Sequence, residues 1–470
     1  MTMHSESARQ WVHVGSGAFA LLLRVLTWWQ AAALAAFALV FNLAVLPRIG
    51  GRRLYRPVDE ARGFPLGILL YPLSVLLLTL TFPARLDIVA AAWAILAIGD
   101  GAATLAGRWA SDWSARTAET PETILSALSA SPANSAFVCG ALPWNREKTV
   151  AGTLAFVALG GLAGMALALW TRPAVAPAPP LTFTIIAPLV AAVVAALVET
   201  VPIRLDDNIS VPATAGAVLW LGSLMTTASL AGAREGIVST LPWALGVNAV
   251  AGWLGYRARA VSRSGAIVGA IVGAIIYAGG GGRAWVLLFL TFLAASASSR
   301  LGLQRKVLLG IAEERGGRRG AGNAIANCGV AAVAAIAAIT TPHTSSALLA
   351  LVASLTAGGS DTVASEIGKA WGRSPYLVTT FSRVRPGTPG AMSLEGTTAG
   401  LAAAFALATA GVAMGLIPAS MTPGVVAGAT AGTIVESALG ATLEGPGILN
   451  NDVLNFINTA IAAAVTLAIA

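Results

Sequence analysis

The stretch from Ile98 to Gly152 opens IGDGAATLAGRWASDWSAR (98–116) and closes LPWNREKTVAG (142–152). An apolar helix is expected to run into Gly99-Asp100-Gly101 and to end near Arg108, followed by a long polar loop. The chain then re-enters an apolar run behind Trp144-Asn145-Arg146-Glu147-Lys148. A carboxylate at the mouth of one membrane helix and a basic cluster at the foot of the next suit a metal–phosphate ligand. The acid can hold Mg²⁺, and Arg and Lys can hold phosphate oxygens.

Outward from this stretch, composition sets the class. The 470 residues are 56% hydrophobic and only 11% charged, with a mean hydropathy of +0.76. Soluble domains carry roughly 25% charged residues. Apolar runs long enough for a ~30 Å hydrocarbon core recur from end to end. The expected fold is therefore an all-α polytopic, multi-pass integral membrane protein with about 15 transmembrane helices. The runs fall at 12–27, 28–47, 64–82, 86–106, 149–170, 181–198, 211–231, 237–256, 264–279, 284–299, 321–340, 346–357, 393–417, 423–440 and 452–470. The N-terminus, MTMHSESARQWVH, lacks the pattern of a signal peptide, and none is expected. Three His and two widely separated Cys, Cys139 and Cys328, are too few for zinc hydrolase chemistry or a metal–thiolate cluster. Nothing in the pattern points to nucleic acid.

The charges segregate. One set of alternate loops carries Arg9, Arg48–Arg62, Arg108–Lys148, Arg204, Arg257–Arg263, Arg300–Arg319 and Lys369–Arg385, together with the acidic 436–452 segment. The other set has only five of the 29 Lys and Arg: Arg24, Arg85, Arg172, Arg234 and Arg283. Basic loops stay in the cytoplasm, so the first set is expected there. The polar clusters lie on the same side. A third one, Glu199-Thr200-Val201-Pro202-Ile203-Arg204-Leu205-Asp206-Asp207-Asn208, crowds three carboxylates between two apolar runs. Carboxylates there are costly unless paired or bound to a cation. The Arg48–Arg62 run reads as a topology and headgroup signal. The Gly279–Gly282 run lacks a following Lys-Ser/Thr and reads as a turn.

The second half echoes the first. Gly359-Ser360-Asp361 through Lys369 parallels Gly99-Asp100 through Arg108. Arg383, Gly390, Ser393 and Gly396 parallel Arg146, Lys148 and Gly152. Glu436-Ser437 with Asn450-Asn451-Asp452 parallels Glu199-Thr200 with Asp206-Asp207-Asn208, and Arg263-Ser264-Gly265 parallels Arg9–Gly17. The first Asp of each set is expected to end or follow its helix. Because the offset is an even number of helices, two parallel seven-helix repeats are expected. Residues 1–231 would form one membrane domain, 232–262 a linking helix and loop, and 263–470 the second domain.

Residues from about 9 to 231 resemble the polyprenol kinase family, which includes phytol kinase and dolichol kinase. The carriers are R-x-x-x-H-x-G-S-G at Arg9–Gly17, GDGAATLAGR at Gly99–Arg108, WNREKTVAG at Trp144–Gly152 and ETVPIRLDDNISVP at Glu199–Pro212. The Ser111–Pro143 insertion departs from that family's plan. Residues from about 240 to 470 resemble the family that contains phytyl-phosphate kinase. Here the carriers are RRGAGNAIANCGV at Arg318–Val330, SDTVASEIGKAWG at Ser360–Gly372, TTFSRVRPGTPGAMSLEGTTAG at Thr379–Gly400 and NNDVLNFINT at Asn450–Thr459. The first resemblance implies transfer of the γ-phosphate of CTP, with Mg²⁺, to an isoprenoid alcohol. The second implies phosphorylation of the isoprenyl monophosphate to the diphosphate. One chain would then take an alcohol of the phytol or geranylgeraniol type through both steps. The lipid bilayer would supply the acceptor, and a homo-oligomer is compatible with the sequence.

Phosphoryl transfer needs positioning, Mg²⁺ and cations against the oxygens rather than covalent help. In the first half, Asp100, Asp206 and Asp207 are the expected Mg²⁺–nucleotide carboxylates. Arg108, Arg146 and Lys148 are the phosphate clamp, and Asn145 and Asn208 are neutral hydrogen-bonding partners. Asp207 or Glu199 would take the alcohol proton, with His13 a second candidate base. In the second half, Asp361, Glu366, Glu436 and Asp452 form the acidic set. Arg318, Arg319, Lys369, Arg373, Arg383 and Arg385 form the phosphate set, joined by Ser393. Ser393 and Ser365 read equally as helix-packing residues, and Gly387-Thr388-Pro389-Gly390 equally as a plain turn or a phosphate-approaching loop. A cytidylyltransferase, which would release pyrophosphate rather than CDP, and a lipid transporter are the competing functions.

The loop charges make a direct prediction. Cysteines placed singly at 100, 148, 207, 361, 383 and 452 should all react with a membrane-impermeant thiol reagent from the cytoplasmic face. Labelling of positions 100 and 361 from opposite faces would exclude parallel repeats.

Overall fold

The computed structural model describes residues 6–48, 65–118, 140–142, 145–201, 206–311 and 318–470. The Arg52–Arg62 part of the basic run, most of the 111–143 insertion, Cys139, Trp144 and Arg204 lie outside them, as does the side chain of Arg146. The chain is an all-α membrane protein with two very short β-hairpins. Among the described residues, ten helices are long and apolar enough to cross a membrane. It divides into two compact units, Met1–Leu224 and Met225–Ala470.

In the first unit, α1 (Glu6–Ser16) passes into a 3₁₀ segment, Gly17–Arg24. Next come α2 (Trp28–Ala44), α3 (Leu66–Thr81) and α4 (Leu86–Ala94). A π-helical turn, Ile95–Asp100, joins α4 to α5 (Gly101–Ala118). A hairpin of β1 (Ala141–Leu142) and β2 (Asn145–Thr149) leads into α6 (Val150–Ala155). Thr149 caps α6, its hydroxyl accepting the Gly152 N–H. A second π turn, Phe156–Gly160, precedes α7 (Gly161–Thr171), and α8 (Leu181–Thr200) and α9 (Asp207–Leu224) complete the unit. The core is α4. Its Ile88, Val89, Ala90, Ala91 and Ala92 are buried on every face, as an all-round apolar helix requires. Its one acid, Asp87, is satisfied by a two-pronged pair with Arg85 at 2.9 and 2.8 Å. The two π turns pack on each other, with the Phe156 ring against Gly99.

In the second unit, α10 (Thr227–Arg257) and α11 (Arg263–Arg300) are followed by α12 (Leu303–Leu308), α13 (Ala321–Thr340) and α14 (Thr344–Trp371). A small hairpin of β3 (Tyr376–Leu377) and β4 (Ala391–Met392) then precedes α15 (Leu394–Ala413), α16 (Thr422–Leu439) and α17 (Asn451–Ile469). The α11 segment is two helices reversed at Gly281, whose φ of 75° and ψ of 177° break the helix. Residues near both of its ends, Gly265 and Ser299, therefore meet Arg319. The glycine run is thus a turn within the hairpin. The core helix here is α14, buried continuously from Leu349 to Asp361.

Several expected boundaries move. Asp100 does not end its helix, because the chain stays helical through the π turn into α5. Asp361 does not follow a short helix but lies inside the 28-residue α14. In both places the polar residue faces protein partners, so the helix has no reason to stop. The runs expected at 211–231 and 237–256 are instead α9 and α10, with the break at Met225-Thr226. Thr226 and Ser229 exchange a capping box there. Arg234 and Glu235, which read as a loop, are accommodated within α10. The segment expected as a link, 232–262, thus belongs mostly to a helix that packs along α11 and α13.

Gly424, Gly428 and Gly432, spaced by four, present one face of α16 to α17. A Cβ at Gly428 would overlap the Thr466 hydroxyl and the Ala462 carbonyl, and one at Gly432 would overlap Asn458. This is the small-residue packing by which membrane helices approach closely. Gly432→Leu should therefore lower the midpoint of thermal unfolding in detergent, with a loss of about 1–3 kcal/mol from overpacking. Gly246→Ala, where an added Cβ meets nothing, is the control. A Gly432→Leu midpoint equal to that of the parent would refute the close contact.

Candidate functional site

The first unit gathers its carboxylates from three helical segments. Asp100 closes the π turn, Glu199 is the penultimate residue of α8, and Asp207 is the first residue of α9. One oxygen from each of Asp100, Glu199 and Asp207 lies within 4.8 Å of the others. The β1–β2 hairpin delivers Lys148 to them, its ammonium 2.5 Å from Glu199 and 3.0 Å from Asp207. Burial works against that ammonium, but Asp207 and Glu199 outweigh it and hold the Lys148 pKa above the ordinary lysine value. Lys148 is therefore charged throughout the physiological range. His13 Nε2 lies 3.6 Å from Asp100 and 3.4 Å from the Leu96 carbonyl. The ring stands edge-on to Tyr71, whose hydroxyl accepts from Trp93 at 2.7 Å.

Other expected site residues have different work in this arrangement. Asp206 caps α9, accepting from the Asn208 N–H at 3.0 Å and the Asn208 amide at 2.7 Å, and stands outside the three-carboxylate group. Asn145 ties the hairpin to the end of α8, donating to the Thr200 carbonyl at 3.2 Å. Arg108 is exposed on α5, eight residues along the helix from Asp100 and so about 12 Å away.

The chemistry of the donor set fits Mg²⁺. Three hard carboxylate oxygens converge, and a single ammonium leaves them with net negative charge.

The second unit lines a cavity of about 190 Å³ with Asp361, Lys369, Glu436, Ser393 and the Pro386–Gly390 turn. Asp361 and Glu436 both line it, and Glu436 Oε2 is buried with no hydrogen-bond partner. Ser393 is buried, and its hydroxyl caps α15 by accepting the Gly396 N–H at 3.1 Å. Gly387 and Gly390 both have left-handed φ, and a Cβ at Gly390 would overlap the backbone of Ser437 and Ala441. Glu366 is bracketed by two lysines, Lys306 at 2.5 Å and Lys369 at 3.1 Å. Lys306 was not expected. It is 1% exposed and also donates to the Ser299 carbonyl at 2.7 Å. In sequence, LQRKVL looks like any basic loop, and nothing local marks this lysine. Arg383 and Arg385 are exposed beside the β3–β4 hairpin, and Arg373 reaches Glu395. Arg318 is exposed, while Arg319 lies near Asn323 and Ser299. Asp452, in the first turn of α17, packs against Gly322 in the first turn of α13. The structure thus brings Asp361, Lys369, Glu436 and Ser393 together, with Glu366 adjacent. It leaves Arg318, Arg383 and Arg385 off the cavity wall.

Comparison with known proteins bears on the second unit. The model of the family "Integral membrane protein DUF92" matches residues 246–463. The chain is 41% identical over 198 residues to the uncharacterized membrane protein sll0875 of Synechocystis, covering 42% of this chain and 77% of that protein. It is 38% identical over 194 residues to the protein VTE6, chloroplastic, of Arabidopsis thaliana, covering 40% of this chain and 58% of that protein. It is also 38% identical over 120 residues to the membrane protein MJ0933 of Methanocaldococcus jannaschii, covering 25% of this chain and half of that protein. No solved structure matches. With its helical membrane fold and these matches, the chain belongs to the family of integral membrane proteins described as DUF92.

Proposed function

We propose that this protein is a membrane phosphotransferase with two transfer sites. The first unit would move the γ-phosphate of CTP to an isoprenoid alcohol of the phytol or geranylgeraniol type. The second would phosphorylate the resulting monophosphate to the diphosphate. Both sites would face the cytoplasm, where the nucleotide is found. The observation that carries this reading is the convergence of Asp100, Glu199 and Asp207 around Lys148. The sequence resemblance to polyprenol kinases in the first half, and to the phytyl-phosphate kinase family in the second, supports it.

Asp100 and Asp207 would hold Mg²⁺, which supplies charge neutralisation at the transferring phosphate when bound. Lys148 gives up part of its contact with the carboxylates and binds phosphate oxygens. It is placed for this because its ammonium has three donors and only two carboxylate partners. Glu199, freed of that partner, is the buried carboxylate that accepts the hydroxyl proton as the oxygen attacks. In the second unit the acceptor already carries a phosphate. Two anions 4 Å apart repel by ~4 kcal/mol per unit-charge pair at a partly buried site. Lys369 on the cavity wall, with Arg383 and Arg385 on the neighbouring loop, supplies the cations that a double-phosphate site needs.

Two outcomes test this. Asp361→Asn should make the purified enzyme accumulate isoprenyl monophosphate from alcohol and CTP. Asp100→Asn should slow alcohol phosphorylation by about 100-fold or more while still converting supplied monophosphate to diphosphate. Equal loss of both steps in both variants, with the fold intact, would mean one composite site. With labelled CTP the nucleotide product should be CDP. Release of pyrophosphate would instead identify a cytidylyltransferase.

A further inference from the structure

The first unit contains a second feature that the carboxylate cluster does not use. A cavity of about 630 Å³ lies between the 3₁₀ segment, α2 and α3. Its wall is apolar almost throughout, with Ala31, Ala35 and Ala38 of α2 facing Pro72 and Val75 of α3. The residues at its rim, Phe19, Leu34 and Phe37, are exposed, as suits a groove open sideways to hydrocarbon. At one end the wall becomes polar, with His13, Tyr71 and Asn208.

That end adjoins the carboxylates. His13 belongs to the cavity wall and is also 3.6 Å from Asp100. Asn208 belongs to the wall and follows Asp207 directly in the first turn of α9. Asn208 is only 9% exposed. Its amide nitrogen donates to Asp206 at 2.7 Å, which fixes the orientation of the side chain, since a carboxylate can only accept. Its Oδ1 is buried with no hydrogen-bond partner. A buried carbonyl oxygen without a partner is rare and wants a donor. A cavity of this size and lining holds a mostly apolar ligand oriented by a few polar groups.

We propose that this cavity is the berth of the acceptor's hydrocarbon chain, and that Asn208 Oδ1 accepts a hydrogen bond from the acceptor's hydroxyl. The inference rests on the alcohol-phosphorylating reading of the first unit. It adds to that reading where the lipid lies and what aims its reactive end. The chain enters from the membrane between α2 and α3, tail toward the rim, hydroxyl toward Asn208. The hydroxyl oxygen is then presented beside Asp207 and the carboxylate cluster. Asn208 is on this view a residue that positions the acceptor, rather than one that grips the nucleotide.

The test uses the full chain in detergent and a C20 isoprenoid alcohol carrying a diazirine near its tail. On irradiation, the label should map by mass spectrometry to α2 and α3, around Ala31–Ala38 and Tyr71–Val75, and unlabelled geranylgeraniol should compete. Ala35→Phe, which fills the cavity, should reduce labelling and raise KM for the C20 alcohol about 10-fold, with little change for a C5 alcohol. Asn208→Ala should keep the labelling and lower kcat for alcohol without changing KM for CTP. Label found only elsewhere in the chain, or unaffected by Ala35→Phe, overturns the berth. An Asn208→Ala variant with unchanged kcat overturns the role of Asn208. The labelling map does not need catalysis. If the parent labels at α2 and α3 but phosphorylates no alcohol, the berth stands and the kinase reading falls. If it phosphorylates but labels elsewhere, the kinase reading stands and the berth falls. Should Ala35→Phe fail to fold, the map on the parent chain still decides.

Discussion

A carboxylate carried into the interior of a membrane protein has to meet a cation or a donor, or it will not stay charged. One ion-pair group in each unit meets that requirement, by opposite means. In the first, one ammonium, Lys148, serves two carboxylates, Glu199 and Asp207, with Asp100 close by. In the second, one carboxylate, Glu366, is served by two ammoniums, Lys306 and Lys369. The hairpin that carries Lys148, the capped start of α9 and the end of α8 all hold their positions through these pairs. Removing one partner from such a pair strands the other in a poor solvent, which costs more than the pair itself contributes.

Much of the architecture is legible in the sequence because hydrocarbon leaves few options. Apolar runs of sufficient length must be helices, and Gly279–Gly282 must be where a helix pair reverses. The capped starts at Thr149, Ser393 and Asn450 follow the same logic of satisfying the first N–H groups of a helix. What the sequence conceals is any helix that continues through polar residues. Gly99-Asp100-Gly101 and Gly359-Ser360-Asp361 look like ends because local propensity favours an end there. They are interior because each lies in the most enclosed helix of its unit, where partners from other elements satisfy the polar atoms. The same reasoning explains Arg234 and Glu235, whose charges suggest a loop but sit on α10.

For the candidate sites, the residue types and their clustering are legible, but the division of labour is not. Asp206 and Asp207 are neighbours of one type. Only the direction of the first turn of α9 makes one a cap and the other a member of the cluster. Ser393 reads as either ligand or packing residue until its hydroxyl is seen to cap α15. Lys306 lies 60 residues from Glu366, and no local pattern announces a pairing over that distance. Asn208 reads as a phosphate partner beside two acids. The cavity at its back appears only when α2 and α3 are packed against it.

The two π turns, Ile95–Asp100 and Phe156–Gly160, have a consequence for how this site can vary. A π turn holds one residue more than the α turn it replaces, and every residue beyond it is rotated by about 100° relative to an uninterrupted helix. Asp100 sits at the close of the first such turn. Its direction is therefore set by a residue count rather than by its own identity. If Ile95–Asp100 closed as a plain α-helix with no residue removed, Asp100 and the whole of α5 would swing by about 100°, out of phase with Lys148, whereas a one-residue deletion there would remove the π turn and keep them in phase. In this segment the form of the turn and the residue count are constrained together. Two sequences of equal length here, one with the π turn and one without it, would share a fold without sharing a site.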